Sequence, residues 1–389
     1  MNPGGVKGIV LRMFVLAAAV LFDSCIAYRA VRFGSPNIDD YRTFPQDTIH
    51  RGEQEFRFAE TPHTERLFDT LRAFKAYGEM RTAGEALALE QKKLSCGVLL
   101  IRNDSIIYEY YQGKIRREDV STVFSISKSL TSLLCGIAVD EGYIKSLHDP
   151  VTDYVPELRD ADPHFARLTI EHLLDMRAGL KFSENYGFNP FSGMAKLHYG
   201  RNMLRQMRHL KFREEPGTSF YYSSMATAIL GVVIERAVGR SYADYMSEKV
   251  WQPLGMENDA LMSVNAVRKR LPRAYGGIST TSRDLAKIGR LYLNHGRFEG
   301  RQIVDSAYVA TTLSAERAYT NTGGKNRGYS YSWWIDRIGE EGYFQMVGML
   351  GQVVIIDSSR NLILVVLTNR SLEPMIETIF ETLDTRAED

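Results

Sequence analysis

Cysteine is scarce: three in 389 residues, Cys25, Cys96 and Cys135, share no CxxC or metal-ligand spacing. Their odd number argues against a disulfide framework. The eight histidines form no HExxH and no close pair, which argues against a zinc site. An excess of one charge is also missing, since 48 Lys and Arg face 47 Asp and Glu. No net field is therefore present to draw in nucleic acid or an acidic surface. There is no G-x-S-x-G elbow of the α/β-hydrolase kind, no P-loop and no G-x-G-x-x-G turn. Internal repeats and low-complexity tracts are absent as well. What remains, 44% hydrophobic residues over this length, is enough for one large core or two joined ones.

The N-terminus differs from the rest. Lys7 and Arg12 precede MFVLAAAVLF (13–22), an apolar run short for a membrane span but suited to a signal h-region. Cys25 follows in LFDSC, which resembles a lipoprotein cleavage site, although Phe22 and Asp23 fit it poorly. A lipoprotein, an uncleaved signal anchor and a buried helix of a cytosolic protein are the three readings. The first two place the chain in the cell envelope, touching the membrane through residues 1–25. The expected organisation is 1–25 as signal or anchor, 26–90 as an irregular extension acting as spacer and brace, and 91–389 as one globular domain. The extension includes TERLFDTLRAFKAYGEM, whose spacing predicts a helix.

From Ser95 the pattern is regular. CGVLLIRNDSIIYEYYQG reads as a hairpin of two β-rich runs broken by Arg-Asn-Asp-Ser. Ile126, Leu130, Leu133, Leu134, Ile137 and Ala138 recur at helical spacing and put Ser125 at the first turn of that helix. LTIEHLLDM, AKLHYGRNMLRQMRHL, ATAILGVVIERAVG and SYADYMSEKVW form a helical middle, and SRDLAKIGRLYLNHG is a further amphipathic helix. YSWWIDRI, GQVVIID and NLILVVLTN return to strands before a closing helix at PMIETIFETL. Strands at both ends around helices predict an α/β (α+β) fold. Its antiparallel sheet is closed by the two chain ends and flanked by helices, with a helical subdomain beside it.

FSISKSLTSLLCG (124–136) carries the first chemical signal, Ser125-x-x-Lys128. Such a match arises about once by chance in a chain this long, and a capping serine with a solvated lysine would look the same. The chemistry is nonetheless sound. Positions i and i+3 share a helix face, so Lys128 can reach the Ser125 hydroxyl. A desolvated lysine has a lowered pKa and can act as base toward serine. The helix N-terminus adds positive potential where an acyl oxyanion would form.

Other stretches follow in order: GYIKSLHDPVTDYVPEL, LTIEHLLDMRAGL, PGTSFYYSSMATAILG, VWQPLGM, YGGISTTSRDLAKIG and FQMVGMLGQVVIID. Over about 95–370 this series resembles the serine β-lactamase and penicillin-binding protein superfamily, whose motifs run SxxK, then YxN or SxN, then K/H-[ST]-G. GLKFSENYGF and MVGMLGQ resemble its 6-aminohexanoate-dimer hydrolases, within the class C-like branch of esterases and D-aminopeptidases. The resemblance implies Ser125 as nucleophile, Lys128 as its base and Tyr222 as proton relay to the leaving group. It implies an oxyanion hole from the backbone N–H groups of Ser125 and Met349, the latter just past Gly348 on an edge strand. Glu184 and Tyr186 would reach the substrate, or else form a polar loop with a packing tyrosine. Gly348 would leave room for a substrate along the strand, and Ser224, in place of the family asparagine, would hold Lys128.

One departure bears on substrate. The third-motif Lys or His is Met346 here, so the cation that pairs with a β-lactam or peptide carboxylate is missing. That removes a charge-assisted hydrogen bond of roughly 1.5–3 kcal/mol. A serine hydrolase acting through an acyl-enzyme on a small-molecule ester or linear amide is the expectation, with no metal and no other cofactor. The alternatives are a β-lactamase or D-amino-acid peptidase and, in a different class, a non-catalytic envelope receptor on the same fold.

Overall fold

The computed structural model describes residues 26–61, 74–76, 79–81, 94–186, 189, 191–268, 270–317, 319–320, 327–338, 341–372 and 376. The apolar run at 13–22, Cys25 and, apart from Ile376, the closing helix lie outside them. Among the described residues no helix is long and apolar enough to cross a membrane.

Helix α1 (Ile26–Phe33) is followed by strands β1 (Gln46–Ile49) and β2 (Ala59–Glu60). The helix expected over TERLFDTLRAFKAYGEM is not formed at its described positions. Strands β3 (Phe74–Ala76) and β4 (Glu79–Arg81) pair antiparallel there instead. The hairpin β5 (Cys96–Arg102) and β6 (Ser105–Gln112) leads through β7 (Ser121–Thr122) into α2 (Ile126–Asp140). Helices α3 (Ile170–Leu174), α4 (Gly193–Tyr199), α5 (Met203–Arg208), α6 (Ser224–Val238) and α7 (Tyr242–Met246) make up the helical middle. Strands β8 (Ala260–Ser263) and β9 (Ile278–Thr280), helix α8 (Ser282–Leu293), the short pair β10 (Arg297–Phe298) and β11 (Arg301–Gln302), and α9 (Ser306–Thr312) follow. The last described strands are β12 (Tyr319–Thr320), β13 (Arg327–Ser330), β14 (Trp333–Ile338), β15 (Glu341–Val347), β16 (Val353–Asp357) and β17 (Leu362–Thr368).

The main sheet has nine strands in the order β12-β13-β14-β15-β16-β17-β5-β6-β2. β17 pairs antiparallel with β5 over seven residues, Leu362↔Arg102 to Thr368↔Cys96, so late strands join early ones as expected. Side-chain alternation explains the apolar runs. Val98, Leu100, Ile355, Leu364 and Val366 share one apolar cluster, while Leu99, Ile101, Val354, Ile363 and Val365 belong to another. The second cluster is the main core, under α2, α6 and α8. α8 lies so close to the sheet that a Cβ on Gly289 would sit 2.9 Å from Ile363 Cγ2.

The N-terminal extension is woven into the fold. β1 pairs with β8 in a four-stranded sheet, β1-β8-β9-β7, and β2 pairs parallel with β6 at the edge of the main sheet. β15 is not the edge strand anticipated from the sequence, because β14 and β16 flank it. Its last residues are open on one side all the same. Pairing with β14 ends at Trp334↔Gln345, whereas pairing with β16 runs on to Val347↔Val353.

Candidate active site

Ser125 occupies the N-cap position of α2, yet its side chain caps nothing. Lys128 Nζ lies 2.9 Å from its Oγ and donates to the Tyr275 carbonyl at 2.7 Å. Lys128 is fully buried, so burial pulls its pKa from 10.5 down to about 8, against the pull of the Glu184 charge, which raises it. The capping-serine and solvated-lysine reading therefore fails on both residues. A neutral amine held this way keeps one N–H on a carbonyl and turns its lone pair to the serine hydroxyl.

The backbone leading to Ser125 is strained. Phe124 has φ of 48°, a left-handed conformation that costs a bulky residue about 1–2 kcal/mol. Its neighbours hold it there, with Val123 N donating to Ile278 O at 3.0 Å and Ser127 N to Phe124 O at 2.9 Å. Gly348 serves this same turn. A Cβ on it would fall 2.4 Å from the Val123 carbonyl oxygen, so only glycine lets the end of β15 pack behind the serine. Gly348 is buried and outside the cavity lining, so its role differs from the one expected: it makes room for Val123 rather than for a substrate.

The cavity at this site is lined by Ser125, Met349, Tyr186, Ser224 and Tyr275, among others. Among the described residues, neither the Ser125 nor the Met349 amide donates to a backbone carbonyl, which leaves two N–H groups at the cavity wall. Among the described residues no lysine or arginine lines it. Met346 is fully buried in the core cluster, so the third-motif position presents no charge.

Tyr222 arrives from the loop before α6, which is pinned by Tyr221 N donating to Met176 O at 2.8 Å. Its ring stacks on Trp334 at 5.7 Å and meets Tyr329 edge-on at 6.0 Å. Lys128 Nζ stands 5.0 Å from the ring centroid. Burial drives the Tyr222 pKa up, and neither the lowering influence of Ser125 nor any neighbouring cation reverses this. A resting phenolate is thus disfavoured, and Lys128 is the better resting base.

Ser224 does not hold Lys128. Its amide donates to Glu184 Oε1, and its hydroxyl donates to Glu184 Oε2 at 3.2 Å. The Tyr186 hydroxyl donates to the same oxygen at 2.5 Å. The three form one cluster at the cavity, and the second anchor of Lys128 is the Tyr275 carbonyl, a contact no side-chain motif could reveal. Also unforeseen were residues Ala30 and Gly34–Pro36 in the wall.

The family model described as Beta-lactamase matches residues 65–383. A 6-aminohexanoate-dimer hydrolase of Paenarthrobacter ureafaciens is 29% identical over 288 residues, covering 70% of this chain and 71% of that protein. Esterase EstB of Burkholderia gladioli is 28% identical, over 48% of this chain and 52% of its own length. Among solved structures, a Bacillus anthracis protein provisionally named a 6-aminohexanoate-dimer hydrolase superposes with a TM-score of 0.75 at 22% identity. That match covers 88% of this chain and 90% of the other. A class C beta-lactamase superposes with a TM-score of 0.58 at 18% identity, over 76% and 93%.

Proposed function

The chain belongs to the beta-lactamase family, and on that premise we propose that it is a serine hydrolase cleaving an uncharged ester or linear amide through an acyl-enzyme. The observation that carries this reading is the buried Lys128 amine, 2.9 Å from Ser125 Oγ with its pKa pulled down to about 8. In the first step Lys128 Nζ takes the hydroxyl proton as Oγ bonds to the substrate carbonyl carbon. The carbonyl π electrons move onto oxygen, where the Ser125 and Met349 amides receive the negative charge. As the carbonyl re-forms, the bond to the leaving oxygen or nitrogen breaks. The Tyr222 hydroxyl protonates that atom and is itself reprotonated from Lys128. Water, deprotonated along the same route, then releases the acid from Ser125.

The charge of the cavity supports the substrate class. With methionine at 346 and no Lys or Arg among the described lining residues, the described wall offers no cation to a carboxylate, which argues against a β-lactam or a D-amino-acid peptide. The names of the hydrolase and esterase relatives support a linear amide or an ester as the bond cleaved. The apolar run at 13–22 supports a place in the cell envelope. Full-length protein sedimenting with membranes checks that placement, and recovery from the cytosol refutes it.

A fluorophosphonate probe followed by mass spectrometry tests the mechanism. Labelling of wild type and not of Ser125→Ala is expected, with p-nitrophenyl acetate turned over well ahead of nitrocefin. Complete absence of labelling favours the non-catalytic receptor, and faster nitrocefin turnover sinks the uncharged-substrate reading.

A further inference from the structure

We infer that the N-terminal segment from Ala30 to Pro36 is the wall against which the substrate's chain lies, and that it fits the site to long, apolar acyl groups. This deepens the hydrolase reading and rests on it. Ala30, Gly34, Ser35 and Pro36 line the same cavity as Ser125, although they stand some ninety residues before it in sequence. Met194, Ala195 and Tyr199 of α4, the last two packed against Ala30, continue the same wall. Ala30, Pro36, Met194 and Ala195 make this stretch of the lining mainly apolar, so an alkyl chain laid on it is removed from water with a gain per methylene like that of a core.

The segment is held in place by several contacts. Ala30 is packed with Phe44, Ala195 and Tyr199 in one buried cluster, with Ile26 and Phe33 against it. Phe33 and Phe44 meet edge-on at 5.9 Å, and the Tyr199 hydroxyl donates to the Gly34 carbonyl. Beyond the strap, Asp40 Oδ2 lies 3.5 Å from His198 Nε2, at the polar part of the lining. Burial lowers the His198 pKa, so this histidine stays neutral and offers no charge to a substrate. The polar groups leave the Ala30–Pro36 side free for hydrocarbon.

Two full-length variants test the wall. Ser35→Trp places an indole where an exposed serine now lines the cavity, and Tyr199→Phe removes the hydroxyl that ties down Gly34. The readout is the ratio of kcat/KM for p-nitrophenyl decanoate to that for p-nitrophenyl acetate, a quantity that general destabilisation leaves alone. Wild type should favour decanoate. Ser35→Trp should lower the ratio about tenfold, the equivalent of two buried methylenes, and Tyr199→Phe severalfold. An unchanged ratio in both variants overturns the inference. Calorimetry with decanamide in the Ser125→Ala background separates the two readings, since it needs no turnover. Weaker binding on adding Ser35→Trp upholds the wall even if wild type hydrolyses nothing, in which case the hydrolase reading alone falls. Equal binding overturns the wall whatever the turnover.

Discussion

Two regions meet at Ser125 and are built in opposite ways. The start of α2 is core architecture: Lys128 is fully buried, Phe124 is locked at positive φ, and Gly348 fits against Val123 with no space to spare. The facing cluster of Glu184, Tyr186 and Ser224 hangs partly on a loop, and Tyr186 is 46% exposed. The first region fixes reacting atoms by packing, where a small shift is costly. The second is tied by hydrogen bonds to one carboxylate, and only Ser224 of the three is anchored in a buried helix. On the proposed mechanism, reaction chemistry belongs to the packed side.

The sharpest break of that contrast comes from the packed side. Ser125→Ala and Lys128→Ala should each lower kcat by on the order of a thousandfold or more with the fold intact, as read by ester hydrolysis and circular dichroism. Near wild-type rates in either would move the chemistry elsewhere. Gly348→Ala should come next. Its Cβ meets backbone oxygen, so roughly 1–3 kcal/mol of stability should be lost in urea melts, together with activity, because Val123 leads directly into the serine turn.

Lys128 adds a pH dependence with a definite sign. As a base it must be neutral, so log kcat/KM should rise with pH and level off near pH 8. Its folded pKa is depressed from 10.5, so the charged amine destabilises the fold at and below neutral pH. Between about 8 and 10.5 the unfolded chain holds a proton that the folded one has released, and this contribution to stability improves as pH rises. Lys128→Met should therefore be inactive but more stable at pH 7, by about 2 kcal/mol once the lost hydrogen bonds are counted, with the gain fading above pH 10. A variant less stable at pH 7 would show that those bonds outweigh the burial.

The loop should answer more gently. Glu184→Gln removes the charge that favours protonated Lys128, so the midpoint of the pH profile should move below that of wild type while turnover persists. An upward move, or a loss as large as that of Ser125→Ala, would place the loop within the reacting machinery and dissolve the contrast.

The same contrast governs what could be read from the residues alone. Runs such as NLILVVLTN are legible because a sheet covered on both faces needs apolar residues at every position. Ser125-x-x-Lys128 is legible because one helical turn sets the geometry. Ser224 was assigned to Lys128 by motif position, yet Glu184, forty residues away, takes both of its donors. Gly348 was read as leaving space for substrate, when the space is filled by a carbonyl from another part of the chain. The strap at Ala30–Pro36 had no local signature at all, since its role exists only once it docks on α4. Each of these depends on contacts between distant segments.

The pairing of β17 with β5 has a consequence for how the molecule is made. The Ser95 amide donates to Asn369 Oδ1 across 274 residues of chain, next to a seven-residue ladder. Until β17 is synthesised, β5 therefore offers an unpaired edge that is apolar from Cys96 to Ile101. Closing such a distant contact is slow, and an open edge of this kind recruits other chains. A nascent chain stalled short of residue 362 would have made every group of the site and yet be prone to aggregate, so folding must be held off, or guarded, until the C-terminal strand emerges.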